Sequence, residues 1–238
     1  MSDAPAAPRS VRVLACGMTE SGKDFLLRRL FLDRYPRALI LDPLNEWPQE
    51  RADFGRIYRV QRAQDLRPTL ARAVRDGARW RIYAALGAGA APDLARCLVP
   101  EVLRPIGAFP LHVGGMALYA GELDLFAPTT AGEEVVGLWR RGRHVGLSIF
   151  AASQRPHGIS RIVTSMSGWL LITKTIEPRD LAYLRGFIPP GAHAEVLTLP
   201  WLWAVLVDTR AGRWYVLDDK QRRAREGGGE NGPPGRTL

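Results

Sequence analysis

The feature that most constrains this chain lies near its start. An apolar run at 11–16 leads into the loop Gly17-Met18-Thr19-Glu20-Ser21-Gly22-Lys23, and the loop leads into a stretch at 22–33. In that stretch Phe25, Leu26, Leu27 and Leu30 recur at helical spacing, with Arg28, Arg29 and Arg34 at other positions. Strand, tight loop and helix in this order form the first half of a βαβ unit. Such units build a mostly parallel sheet with helices on its faces.

The rest of the chain continues the alternation. Strands are expected at 38–41, 56–60, 80–86, 111–120, 145–152 and 168–174, and helices at 63–76, 92–104, 130–141 and 178–186. In the helix at 63–76, Leu66, Leu70, Ala73 and Val74 are expected to face inward. Pro178 suits the first turn of its helix, where a missing N–H costs nothing, and Asp180 suits the positive end. Segments 201–207 and 213–217 flank the turn Asp208-Thr209-Arg210-Ala211-Gly212 and read as a C-terminal β-hairpin. The fold class expected is α/β, one domain over 11–218. Residues 1–10 and the Gly/Pro-rich basic tail 219–238 are expected to be disordered.

Composition narrows the function classes. The chain has 238 residues, and 46% hydrophobic with 24% charged residues excludes a fibre or a wholly disordered chain. Two cysteines, Cys16 and Cys97, leave no disulfide framework or cysteine-based zinc site, and they fit a reducing compartment. No run reaches the length of a membrane span and no signal-like start is present, so a soluble, cytoplasmic protein is expected. Net charge is +9, and 30 of the 33 basic residues are arginine. Such an excess either reflects arginine-rich coding or serves a phosphate polyanion.

The loop at 17–23 fits G-x-x-x-x-G-K between a strand and a helix, the context in which that pattern binds phosphate. Its glycines let successive backbone N–H groups turn towards a nucleotide's phosphates, the helix start adds partial positive charge, and Lys23 reaches the β- and γ-phosphates. The next position departs from the pattern. Where Ser or Thr offers Mg²⁺ a neutral hydroxyl, this chain has Asp24. A second departure lies in Met116-Ala117-Leu118-Tyr119-Ala120-Gly121-Glu122, which has the form of a Walker B strand with its aspartate replaced by Gly121 and its glutamate kept as Glu122. A carboxylate lost at 121 and one gained at 24 suggest an exchange, with Asp24 and Glu122 as the metal-side carboxylates and Asp124 as a second compensator. The alternative is weakened nucleotide binding. A third segment delivers Ser153-Gln154-Arg155-Pro156 to the same sheet edge, where the Gln154 amide can meet both a γ-phosphate and a lytic water. Asp42 and Glu46 follow the second strand near that edge. His112, His144, His157 and His193 lack metal-ligand spacing, and Trp201, Trp203 and Trp214 read as core or interface residues on the hairpin.

Four pieces together resemble the FtsK/HerA superfamily of P-loop DNA-pumping ATPases. They are the loop at 17–23, Asp42-Pro43, the strand ending in Glu122, and the segment from Arg140 through Gly142-Arg143 and Gly146-Leu147 to Ala152-Ser153-Gln154-Arg155-Pro156. The likeness covers most of 11–186. It implies RecA-like subunits in a homo-oligomeric ring, usually a hexamer, with ATP and Mg²⁺ between neighbours and double-stranded DNA in the channel. It further implies that Gln154 is the sensor and that Arg141 or Arg143, with Arg155 third, acts on a neighbour's phosphates. The small size resembles the genome-packaging ATPases of membrane-containing icosahedral viruses, which implies a virion-associated protein and capsid vertex partners. Alternatives are an ATPase for plasmid transfer or filamentous-phage assembly, and a degenerate subunit that binds nucleotide without hydrolysis. Pore contacts are expected from Arg155, His157, Arg161 or the Trp80–Arg81 region.

Overall fold

Ten strands hydrogen-bond into one sheet in the order β10-β9-β8-β7-β1-β6-β5-β2-β4-β3. The computed structural model describes residues 10–42, 55–77, 79–85, 115–126, 133–218, 220 and 223–227. In chain order the elements are β1 (Arg12–Cys16), α1 (Lys23–Leu30), β2 (Arg37–Leu41), β3 (Arg56–Val60), α2 (Ala63–Asp76), β4 (Trp80–Ala84), β5 (Met116–Ala120), α3 (Leu123–Phe126) and α4 (Glu133–Arg141). Then follow β6 (Ser148–Ser153), α5 (Arg161–Met166), β7 (Trp169–Ile172), α6 (Pro178–Arg185), α7 (Pro190–Thr198), β8 (Ala204–Asp208), β9 (Arg213–Leu217) and β10 (Arg223–Gly227). Strands β1 to β7 run parallel, and β8, β9 and β10 continue the sheet antiparallel.

Burial on both faces explains the apolar strands. In β1, Leu14 and Cys16 pack on one face with α2, α4, α5, α6 and α7, while Val13 and Ala15 pack on the other with Leu26 and Leu27 of α1. A parallel sheet covered on both sides needs such continuous runs. The strand β1 lies between β6 and β7, so the chain leaves it in one direction for β2 and returns on the other side with β7. That reversal opens a crevice at the carboxyl ends of the strands, where ligands of open α/β sheets bind.

Several expectations are corrected. Phe25 is 56% exposed, because Leu26 and Leu27 define the buried face of α1 and residue 25 projects roughly 150° from its centre at 3.6 residues per turn. Val74 sits on the flank of the α2 stripe formed by Leu66, Leu70 and Ala73, and it is exposed. Trp80 and Arg81 are buried, with Arg81 Nη1 donating to Tyr35 O at 2.6 Å, so they form no pore surface. Trp201 lies in the turn before β8 rather than on the hairpin. Helices α5 and α7 carry too little periodicity to have been expected. Within the tail expected to be disordered, Arg223–Gly227 pairs with β9, because backbone bonding to an open edge needs no apolar pattern. The expected helix at 92–104, the start of the strand at 111–120, and Glu46, Cys97 and His112 lie outside the described residues.

Candidate functional site

The phosphate loop is shaped by its own backbone and by the neighbouring strand ends. Gly17 N–H donates to Ser153 O at 3.3 Å, Met18 N–H to Lys174 O at 3.0 Å and Ser21 N–H to Met18 O at 3.3 Å. A side chain at Gly17 would overlap Thr173 Oγ1, and Gly22 has φ 85°. Both glycines are therefore required by the path of the loop. The buried Ser21 Oγ lies 2.6 Å from Thr173 Oγ1, and Thr173 Oγ1 lies 3.2 Å from Cys16 O, which ties the loop floor to β1 and β7. The N–H groups that open α1 have no intrahelical acceptor and face the loop.

Two side-chain networks meet above this floor. In the first, Thr19 Oγ1 donates to Gln154 Oε1 at 2.7 Å and Gln154 Nε2 donates to Glu122 Oε1 at 2.8 Å. One amide thus connects the loop to the glutamate at the end of β5. Glu122 is held in a left-handed backbone at φ 48°, which costs about 1 kcal/mol for a residue with a side chain and aims the carboxylate at the site. Burial raises its pKa, against the opposing effects of the Gln154 hydrogen bond and Lys23.

In the second network, Lys23 is 4% exposed and its Nζ lies 3.2 Å from Asp24 Oδ2, while the other Asp24 oxygen accepts from the Tyr119 hydroxyl. Burial, and then the Asp24 charge, push the Tyr119 phenol well above its usual range. Tyr119 and Gly121 alternate onto one face of β5. A Cβ at Gly121 would lie 3.3 Å from the Tyr119 ring and 3.5 Å from its hydroxyl, so the tyrosine fills the space a side chain at 121 would enter and holds Asp24 beside it. Asp124 is taken by Ser153, whose Oγ donates to Asp124 Oδ1 at 3.1 Å.

Sequence reasoning missed Tyr119, Thr173 and Asp180 as parts of this edge. The period-2 step from 121 to 119 was the available signal for the tyrosine. Asp180, 1% exposed at the start of α6, takes His157 Nδ1 at 2.5 Å, His157 N at 3.2 Å and Arg155 Nη1 at 3.5 Å, which fixes the loop after Gln154. Arg141 and Arg143 are exposed and precede β6, whereas Gln154 follows it. The six residues of β6 put about 20 Å between them at ~3.3 Å per residue, so neither arginine reaches the loop of its own subunit. His144 and His193 make ordinary hydrogen bonds, to Arg143 and to Leu181 O. Among the described residues no group of three or more acidic, histidine or cysteine side chains could hold a metal alone.

No protein-family profile and no curated protein matches the sequence. Solved structures do match in shape. The genome packaging NTPase B204 of Sulfolobus turreted icosahedral virus 2, in complex with AMPPCP, superposes with a TM-score of 0.66 at 16% identity, over 88% of this chain and 97% of that one. B204 of Sulfolobus turreted icosahedral virus, a DNA-packaging ATPase, gives 0.64 at 16% identity over 88% and 98%. VirB4 of Thermoanaerobacter pseudethanolicus gives 0.60 at 12% identity over 83% and 87%. The chain shares with these proteins its fold, a mostly parallel sheet flanked by helices and continued by antiparallel strands at its C-terminal side. Within this fold the departures at 24 and 121 meet in space through Tyr119. Among the described residues no helix is long and apolar enough to cross a membrane.

Proposed function

We propose that the chain hydrolyses ATP and couples it to movement of double-stranded DNA, as a genome-packaging motor acting in a homo-oligomeric ring, a hexamer, with capsid vertex proteins as further partners. The observation that carries the reading is the Thr19–Gln154–Glu122 network, which links a phosphate loop to a carboxylate that can polarise water. The likeness to B204, a DNA-packaging ATPase, supports the same reading.

The chemistry follows from the residues. Backbone N–H groups of 17–23 bind the phosphates, and Lys23 turns from Asp24 to the β- and γ-phosphate oxygens. Glu122 accepts a proton from the attacking water, with its raised pKa bringing its basicity closer to neutrality. Gln154 senses the γ-phosphate and passes its loss to Thr19 through one hydrogen bond. Asp24 and Glu122 would hold Mg²⁺, which suits hard oxygen donors, and the ion would neutralise phosphate charge. Arg141 or Arg143 of an adjacent subunit supplies positive charge to the transferring phosphate. The +9 charge provides contacts to the DNA backbone that need no sequence reading.

The deciding experiment is ATP hydrolysis by purified protein with and without double-stranded DNA. Hydrolysis that DNA stimulates, lost in Lys23→Ala, upholds the motor. Absence of hydrolysis with retained nucleotide binding supports a second reading, a nucleotide-binding subunit, which the Lys23–Asp24 ion pair favours.

A further inference from the structure

Beside the phosphate loop lies an apolar surface that the reaction above does not use. Phe25, Trp201 and Leu202 are 56%, 48% and 45% exposed. Single exposed apolar residues are ordinary, but Trp201 and Leu202 stand side by side in a built turn next to the start of α1. Leu199, at its start, is buried, and its carbonyl accepts from Lys174 Nζ at 2.8 Å. Trp203, at its end, packs against the core, with its N–H donating to Pro200 O at 3.3 Å. Between these anchors Leu202 takes φ 63°, a conformation that a leucine side chain disfavours. The turn thus accepts strain to display an apolar side chain that the core does not require, a pattern found at ligand sites.

Its position identifies the occupant. Leu202 Cδ2 lies 3.5 Å from where a Cβ of Gly22 would stand, so the turn rests on the last glycine of the loop. Phe25 is three residues further on and shares that side of the start of α1. The turn is also tied to the loop floor, because Lys174 receives Met18 N–H on its carbonyl while its ammonium holds Leu199. A nucleotide with its phosphates in 17–23 must lead its ribose out past the start of α1, towards this surface.

We infer that Phe25, Trp201 and Leu202 form the platform for the purine base of the nucleotide, an inference that rests on the phosphate-loop reading above. Flat aromatic and branched aliphatic groups match the face of a base, and stacking on them is sequence-tolerant because every base has a π-face. The base is held by contact area here, while the phosphates are held by charge and N–H groups. One molecule therefore bridges both parts of the site.

The test separates base from phosphates by titrating the full chain with AMPPCP and with inorganic tripolyphosphate, which has no base. Trp201→Ala removes the aromatic face, and Leu202→Gly removes the side chain while relieving the φ, so the second variant keeps its fold. Each is expected to weaken AMPPCP roughly tenfold and to leave tripolyphosphate affinity, thermal unfolding and sedimentation unchanged. Unchanged AMPPCP affinity in both variants refutes the platform, and a simultaneous change in sedimentation would mark the surface as a subunit contact. Equal loss for both ligands also refutes it, by placing the effect in the loop. If wild-type protein binds tripolyphosphate no better than Lys23→Ala does, the phosphate-loop reading itself fails.

Discussion

The proposed exchange of carboxylates between positions 24 and 121 predicts a compensating pair of substitutions. Asp24→Ser restores the residue type usual after the P-loop lysine but removes the acceptor of the Tyr119 hydroxyl, which belongs to a side chain only 2% exposed. Loss of that hydrogen bond to a charged acceptor costs about 1–3 kcal/mol. The lost Lys23–Asp24 pair adds little, since the Asp24 side chain is 43% exposed. Gly121→Asp alone puts a Cβ 3.3 Å from the Tyr119 ring and a second carboxylate beside the first, at a cost of about 1–2 kcal/mol. In the double variant the new carboxylate lies within reach of the Tyr119 hydroxyl, whose oxygen is 3.5 Å from the Cβ position, and part of both costs is recovered. Hydrolysis follows the same logic. Asp24→Ser is expected to lose about 100-fold in kcat, the upper range for removal of a group that supports a metal, and the double variant to return within about tenfold of wild type. The recovered factor of ten or more corresponds to about 1.4 kcal/mol or more of coupling. Steady-state ATPase rates and denaturant unfolding of the four proteins measure both cycles. Wild-type activity in Asp24→Ser, or strictly additive losses in the double variant, refutes the exchange.

Other perturbations address the remaining residues. Gln154→Ala cuts the link between Thr19 and Glu122, so kcat should fall by about 10- to 100-fold with little change in nucleotide affinity, measured by rate and titration together. Glu122→Gln should reduce hydrolysis at least about 100-fold. Because burial raises the Glu122 pKa, the folded protein holds that proton more tightly than the unfolded chain does, and the stability this contributes is present at low pH and lost as pH rises through the raised value. Glu122→Gln should therefore melt higher than wild type at neutral pH, with the gap closing on acidification. Asp180→Ala leaves His157 and Arg155 without their buried acceptor, at roughly 3 kcal/mol, and calorimetry should show the melting temperature lowered by about 10 °C. Mixing Arg143→Ala subunits with Lys23→Ala subunits should recover hydrolysis that neither has alone, if the arginine acts across the contact; no recovery for either Arg143→Ala or Arg141→Ala removes both from that role.

What the sequence made legible was periodic or local. The helix at 63–76 and the strand at 56–60 match α2 and β3 because their patterns and breakers agree. The loop 17–23, Glu122 and Gln154 fall at one edge because parallel strands place all their carboxyl ends there. Residues whose role depends on a distant partner were not legible. Tyr119 reads as one more buried strand residue until Asp24, 95 positions away in sequence, is brought to its hydroxyl. Leu202 falls within the expected strand 201–207, and only its positive φ shows it turned outward beside Gly22. Phe25 was misread because one extra apolar residue on a short helix cannot be assigned to a face until the burial of its neighbours is known.

The position of the two arginines constrains how subunits can meet. Arg141 and Arg143 precede β6, while the phosphate loop follows β1, and β1 and β6 are parallel neighbours. The two features therefore occupy opposite edges of the same sheet. For an arginine of one subunit to reach phosphates bound by another, the amino edge of the first must face the carboxyl edge of the second. Two different surfaces then meet, so the contact is heterologous and cannot close as a two-fold dimer in which each subunit presents the same patch. Repetition of such a contact gives a ring when its rotation closes and a filament when it does not. An isolated two-fold dimer would leave the arginines away from the nucleotide, so action of either arginine on a neighbour's phosphates would require a head-to-tail assembly, closed or open.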